Sequence, residues 1–149
     1  MLAMSPASYM NPERADSERP RVVPQPQPLR VLIADDERDS LVTLGILCRG
    51  EGMEVRLVRH GEQVVAAVAD FGPDVVLLDL GMPDRSGLDI AEELIERYGV
   101  HRPLLIAVTG YSSEADRRMA KQSGFDDFIA KPYDPQSLLR RLAAIRRRD

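Results

Sequence analysis

The sequence is short of cysteine and lysine, carries no excess of positive charge, and has no long apolar run. Its single cysteine, Cys48, cannot form an internal disulfide, which fits a reducing compartment. No apolar run approaches the ~20 residues of a membrane span, so none is expected. The first residues form neither a basic nor an apolar stretch, so no secretory signal is expected and the cytoplasm is the expected location. Lys+Arg number 20 against 24 Asp+Glu, a net charge of -4, so the basic footprint of a direct nucleic-acid binder is missing. Arg140, Arg141, Arg146, Arg147 and Arg148 near the carboxy-terminus read as complements to a helix dipole and as a soluble tail. Neither G-x-G-x-x-G nor a Walker A pattern occurs, which argues against nicotinamide, flavin and nucleoside triphosphate binding.

What is present divides the 149 residues in two. Residues 1–28 hold six prolines, mixed charge and almost no large apolar side chains, and are expected to be a disordered tail. From residue 29 to 149, short apolar runs alternate with amphipathic stretches. The runs are Leu29–Ala34, Val55–Val58, Val75–Leu78, Leu104–Val108 and Phe125–Ala130. Continuous apolar runs of strand length suit parallel strands covered on both faces by helices.

Five helical stripes lie between and after them. Leu41, Leu44, Leu47 and Cys48 form the first, ended by Gly50-Glu51-Gly52. Val64, Val65 and Val68 form the second, stopped by Gly72-Pro73. Leu88, Ala91, Leu94, Ile95 and Tyr98 form the third, with Ser86 and Asp89 resembling a capping box. The stretch from Ser112 to Gln122 offers only Ala115, Met119 and Ala120 as an apolar face. Leu138, Leu139, Leu142 and Ile145 form the last, introduced by Asp134 as N-cap and Pro135 at the first helical position. The order strand–helix, five times over, implies a doubly wound α/β sheet, whose chemistry lies beyond the carboxyl ends of its strands.

At those ends stand Asp35-Asp36-Glu37, Asp79, Thr109-Gly110 and Lys131-Pro132. Crowded carboxylates repel unless a cation neutralises them, and Mg²⁺ takes one or two carboxylates together with water and phosphate oxygens. The cluster therefore reads as a metal site awaiting a phosphoryl group. An Asp at a strand end is more ordinarily a solvated turn residue, and Asp35 and Asp36 could be a helix-terminal charge pair. The chain writes Arg almost wherever a cation serves, with Lys121 and Lys131 its only lysines; a lysine at a strand end suggests a compact point charge. His60 and His101 have no second ligand nearby, and Cys48 reads as core.

Four motifs in order resemble the receiver domain of two-component response regulators. They are Val31-Leu32-Ile33-Ala34-Asp35-Asp36-Glu37; Asp74-Val75-Val76-Leu77-Leu78-Asp79-Leu80-Gly81-Met82-Pro83-Asp84 followed by Ser86-Gly87; Ala107-Val108-Thr109-Gly110; and Gly124-Phe125-Asp126-Asp127-Phe128-Ile129-Ala130-Lys131-Pro132. Asp36 to Asp79, Asp79 to Thr109 and Thr109 to Lys131 are 43, 30 and 22 positions apart, ordinary spacings for that family.

The resemblance implies a (βα)5 flavodoxin-like fold with strand order 2-1-3-4-5. It makes Asp79 the nucleophile that accepts a phosphoryl group from a phosphohistidine. Mg²⁺ is then held by Asp36, Asp79 and the Gly81 main-chain carbonyl, with Asp35 acting through water. Lys131 and Thr109 would contact the phosphoryl oxygens, and Lys131-Pro132 would be cis. Implied partners are a histidine kinase or histidine phosphotransfer protein and a downstream protein target, without nucleic acid or membrane contact. A monomer or weak homodimer is expected, acting as a signalling switch rather than an enzyme on other substrates.

Two departures stand out. Phe128 occupies a position where many receivers have tyrosine, so a reporting hydroxyl is lost. Tyr111, with Gly81, flanks the acceptor where access of water is governed, and Tyr111 is expected to shield the acyl phosphate. The Ser112–Gln122 stretch, residues 125–131 and the last helix form the expected output face. No effector stretch follows in the sequence, so a single-domain regulator is expected. Two competing readings are a receiver-like adaptor that works unphosphorylated and a Mg²⁺-dependent phosphatase. Loss of an acidic residue would favour the first; the second needs a general acid two residues after the nucleophile, where Gly81 stands.

Overall fold

A computed structural model describes residues 27–110 and 113–145. Nearly all of the expected tail, Tyr111 and the arginines from 146 to 148 lie outside the described residues.

The elements follow the apolar pattern. Strand β1 is Arg30–Ala34, β2 Glu54–Val58, β3 Val75–Asp79, β4 Leu104–Thr109 and β5 Asp127–Ala130. Helix α1 is Arg38–Gly50, α2 Val64–Phe71, α3 Gly87–Tyr98, α4 Glu114–Gln122 and α5 Pro135–Ala143. The strands form one parallel sheet in the order β2-β1-β3-β4-β5, as the resemblance implies.

Two apolar cores cover the sheet. Val31, Ile33, Val75, Leu77, Ile106 and Val108 pack on one face against Leu41, Leu44 and Cys48 of α1 and Leu138, Leu139 and Leu142 of α5. Leu32, Val76, Leu78, Leu105 and Ala107 pack on the other against α2, α3 and Ala120 of α4. Side chains alternate between the faces because successive residues of a strand point oppositely. Each fully buried Leu or Val contributes ~1.5–3 kcal/mol, so the two cores together hold the strand ends in register.

Local signals set the boundaries. Gly72 ends α2 in the left-handed region at φ 62°, where a side chain would be strained. Asp134 accepts the Gln136 N–H ahead of Pro135 and so starts α5. Three details differ from expectation. Ser86 caps α3 through the Leu88 N–H alone, while the reciprocal capping box forms at Ser113 and Asp116 of α4. Strand β5 begins at Asp127 rather than Phe125, because the Phe125 N–H is taken by the Ala120 carbonyl. On α4 only Ala120 is buried; Ala115 is exposed and Met119 is 52% exposed, so its apolar face is narrower than the sequence suggests. Ile145 falls beyond α5 but still packs on the first core.

Candidate functional site

Because the strands are parallel, all their carboxyl ends lie at one edge of the sheet. Strand β1 delivers Asp35, β3 ends on Asp79, β4 on Thr109, and Lys131 directly follows β5. Asp35 and Asp79 are each 8% exposed, Thr109 is fully buried, and Asp36 faces solvent.

Lys131 bridges the two buried carboxylates. Its ammonium donates to Asp35 Oδ2 at 3.0 Å and to Asp79 Oδ2 at 3.2 Å. The other oxygen of each carboxylate is held by backbone: the Glu37 N–H donates to Asp35 Oδ1 and the Gly81 N–H to Asp79 Oδ1, both at 2.9 Å. The Lys131 N–H donates to the Thr109 carbonyl at 2.8 Å, tying the end of β5 to that of β4. The Lys131–Pro132 bond is cis.

Burial pushes the Asp79 carboxyl above its ordinary range, more than the Gly81 N–H and Lys131 pull it down, and neighbouring Asp35 pushes the same way. Burial lowers Lys131, but its bonds and charge interactions with Asp35 and Asp79 outweigh that, so its pKa is raised and it stays charged.

Asp35, Asp36 and Asp79 each offer a carboxylate oxygen within 4.8 Å of the others. One ammonium against three carboxylates leaves the cluster negative. Hard oxygen donors so arranged, with an exposed side at Asp36, fit a divalent cation such as Mg²⁺. Gly81 is placed beside Asp79 by the bond from its N–H.

The remaining sequence-derived residues lie elsewhere or are not described. Phe128 is half-buried on β5, its ring 5.1 Å from the Arg117 guanidinium, on the side of α4 rather than within the acid cluster. Tyr111 lies outside the described residues. A groove of about 570 Å³, lined by Asp39, Thr43, Leu47, Pro132 and Tyr133, opens beside Lys131 against α1. Sequence reasoning found neither it nor the half-buried Tyr133, whose phenol is pushed up by burial. Both depend on α1 meeting the segment after β5, which no local pattern encodes.

A model of the response regulator receiver domain matches residues 31–143. The chain belongs to that family. Among its relatives, the DNA-binding response regulator MtrA of Mycobacterium tuberculosis is 35% identical over 120 residues, covering 80% of this chain and 51% of MtrA. The sensory transduction protein RegX3 of Mycolicibacterium smegmatis is 38% identical over 118 residues, covering 79% of this chain and 50% of RegX3. Among solved structures, a CheY-like receiver domain protein from Methanospirillum hungatei JF-1 superposes with a TM-score of 0.73 at 26% identity, covering 78% of this chain and 92% of that one.

The receiver-domain fold and the two-component family are thus established. The chain spans about half the length of the curated relatives it matches, and MtrA is named DNA-binding. Neither a single-domain protein nor an absence of nucleic-acid contact follows from the match. Among the described residues, no helix is long and apolar enough to cross a membrane.

Proposed function

We propose that this receiver domain accepts a phosphoryl group on Asp79 from a phosphohistidine of a histidine kinase or histidine phosphotransfer protein. The carrying observation is the Asp79 carboxylate, buried at the end of β3 and held by the Gly81 N–H on one oxygen and Lys131 on the other. Attack by a carboxylate oxygen forms the O–P bond as the N–P bond to imidazole breaks, leaving a mixed anhydride on Asp79 and a free imidazole.

Asp36, Asp79 and the Gly81 carbonyl would hold Mg²⁺ directly, and Asp35 through water. Bound there, the cation supplies charge neutralisation for the phosphoryl oxygens. Lys131, already within reach of Asp79, would neutralise the same oxygens. Asp35 keeps Lys131 in place when the Asp79 oxygen is taken up by the phosphoryl group. Thr109, buried at the end of β4, supplies a hydroxyl for the attached group.

Phosphorylation then biases a face made of α4, β5 and α5, which engages a downstream protein. Phe128 contributes packing there without a hydroxyl, and Tyr111 slows hydrolysis of the anhydride by shielding it. We place the domain in the cytoplasm as a monomer or weak homodimer and assign residues 29–149 to it. Retention of Asp35, Asp36, Asp79, Thr109 and Lys131 together supports a phosphorylated switch over an unphosphorylated adaptor.

The test is incubation with acetyl phosphate or a phosphorylated kinase in Mg²⁺. The expected product is an acid-stable, base-labile adduct on Asp79, absent from Asp79→Ala. An adduct that persists in Asp79→Ala, or none in the wild type, rejects the reading.

A further inference from the structure

We propose that Asp84 is a positioning residue for the metal site, fixing the loop that carries the Gly81 carbonyl by tying it to the turn ahead of α2. The inference rests on the assignment of the Gly81 carbonyl as a Mg²⁺ ligand.

The loop between Asp79 and Gly87 has to hold a main-chain oxygen still without being part of a strand or helix. Its near end is held by the Gly81 N–H on Asp79. At its far end, Gly87 packs so closely on Leu80 that a Cβ there would lie 2.6 Å from Leu80 Cδ2. Between these, Met82 is buried in the core and Pro83 has a fixed φ. Asp84 makes the outward attachment. Its Oδ1 accepts the Gly61 N–H at 3.0 Å and its Oδ2 accepts the Glu62 N–H at 2.9 Å. Both donors belong to the short helical turn Gly61–Gln63 that leads into α2, so they are N–H groups without partners inside the helix.

Two further features concentrate on the same junction. Gly61 is buried, and a Cβ on it would sit 3.1 Å from Arg85 Cβ, 3.2 Å from the Arg85 carbonyl oxygen and 3.2 Å from Asp84 Oδ1. A side chain at 61 would therefore press on Arg85 and Asp84, and the neighbours would have to give by a few tenths of an ångström. Arg85 in turn reaches Glu93 of α3 at 2.8 Å, and Glu93 also takes Arg97 at 2.9 Å. The loop is thus tied to α2 through Asp84 and to α3 through Arg85. The Glu62 and Gly61 N–H groups hold the Asp84 carboxyl below the usual carboxylate range, so it stays ionised as an acceptor.

Asp84 touches neither the acceptor nor the metal in this scheme; it acts through Pro83 and Met82 on the carbonyl of Gly81. Removing it takes away the loop's tie to α2 and leaves the attachments through Asp79, Met82 and Arg85, so the carbonyl is held less firmly for the cation.

The experiment titrates Mg²⁺ alone into the full chain and follows the Gly81 amide by NMR, with amide exchange at Gly61 and Glu62 reporting the tether. Asp84→Ala is expected to weaken Mg²⁺ binding about tenfold, the low end of losses on removing a group that orients a metal ligand. Asp84→Asn, which keeps one acceptor oxygen, is expected to fall between wild type and Asp84→Ala, and serves alone should the alanine variant not fold. Gly61→Ala, attacking the junction from the other loop, is expected to weaken binding similarly. Asp126→Ala, at the opposite edge of the sheet, serves as the destabilised control and is expected to bind as wild type does. Wild-type affinity in the Asp84 variants, with faster exchange at Glu62, overturns the inference and leaves the metal-site reading standing. An equal loss in Asp126→Ala also overturns it, since general destabilisation then accounts for the effect. A wild type that binds no Mg²⁺ overturns both.

Discussion

The two edges of the sheet treat their charged groups in opposite ways. At the amino ends of the strands, carboxylates are matched within the fold. Asp126 accepts both Arg102 nitrogens, at 2.8 and 2.9 Å, and the Leu105 N–H at 2.8 Å. Asp74 accepts the Arg30 N–H at 2.9 Å, and the Arg30 guanidinium meets Glu54, the Phe71 carbonyl and the Phe71 ring. At the carboxyl ends, three carboxylates gather within 4.8 Å, the ammonium of Lys131 pairs with two of them, and burial raises the Asp79 pKa. Charge satisfied internally supports the fold. Charge left in surplus favours a cation from outside, the role given to Mg²⁺ in the proposed function.

Replacing the single cation tests this contrast most strongly. Lys131→Ala is expected to slow phosphorylation by acetyl phosphate about 10²-fold, the loss typical of removing one preorganised electrostatic group. A rate within a factor of two of wild type would mean that the surplus charge is handled without Lys131.

The matched edge should respond in stability alone. Asp126→Ala removes the two bonds from Arg102 and orphans the buried Leu105 N–H, so denaturant unfolding is expected to show a loss of about 2 kcal/mol. Its phosphorylation rate should stay at the wild-type value. A rate change there would break the division between the edges.

The smallest effect sharpens the claim of surplus charge. A carboxylate whose pKa is raised on folding favours the folded state below its unfolded pKa, and that contribution is lost as the pH rises through the folded value. Ionised Asp79 is therefore a cost to the metal-free protein at neutral pH. In EDTA, Asp79→Asn is expected to have a Tm slightly above wild type at pH 7, the gap closing as the pH falls through the carboxylate range. A lower Tm at pH 7 would show that Lys131 already balances the cluster.

Much of this was legible in the residues. The apolar runs from Val75 to Leu78 and from Leu104 to Val108 became β3 and β4 because a run apolar on both faces has nowhere stable except between two layers. Asp134-Pro135 marked the start of α5 because cap chemistry is local. The sequence misled in two places, where an apolar run hid a helix end and where tertiary packing set which side of a helix is buried. Phe125 looks like strand, but Gly124 at φ 105° and the Ala120 carbonyl hold it in the turn leaving α4. Met119 looks like part of an apolar face, yet α4 sits so that only Ala120 reaches the core.

Taken alone, the sequence determined the order of elements and which residues end each strand, because both follow from side-chain periodicity and short-range turn chemistry. It also placed the acidic residues, the hydroxyl and the lysine at those ends. Only the tertiary structure decided who meets whom. Lys131 reaches Asp35 across 96 positions and Asp79 across 52, and Asp84 reaches back 23 to Gly61. Those pairings arise from the strand order and from loops packed edge to edge, and the free energy that selects them is spread over both buried cores rather than written in any one segment.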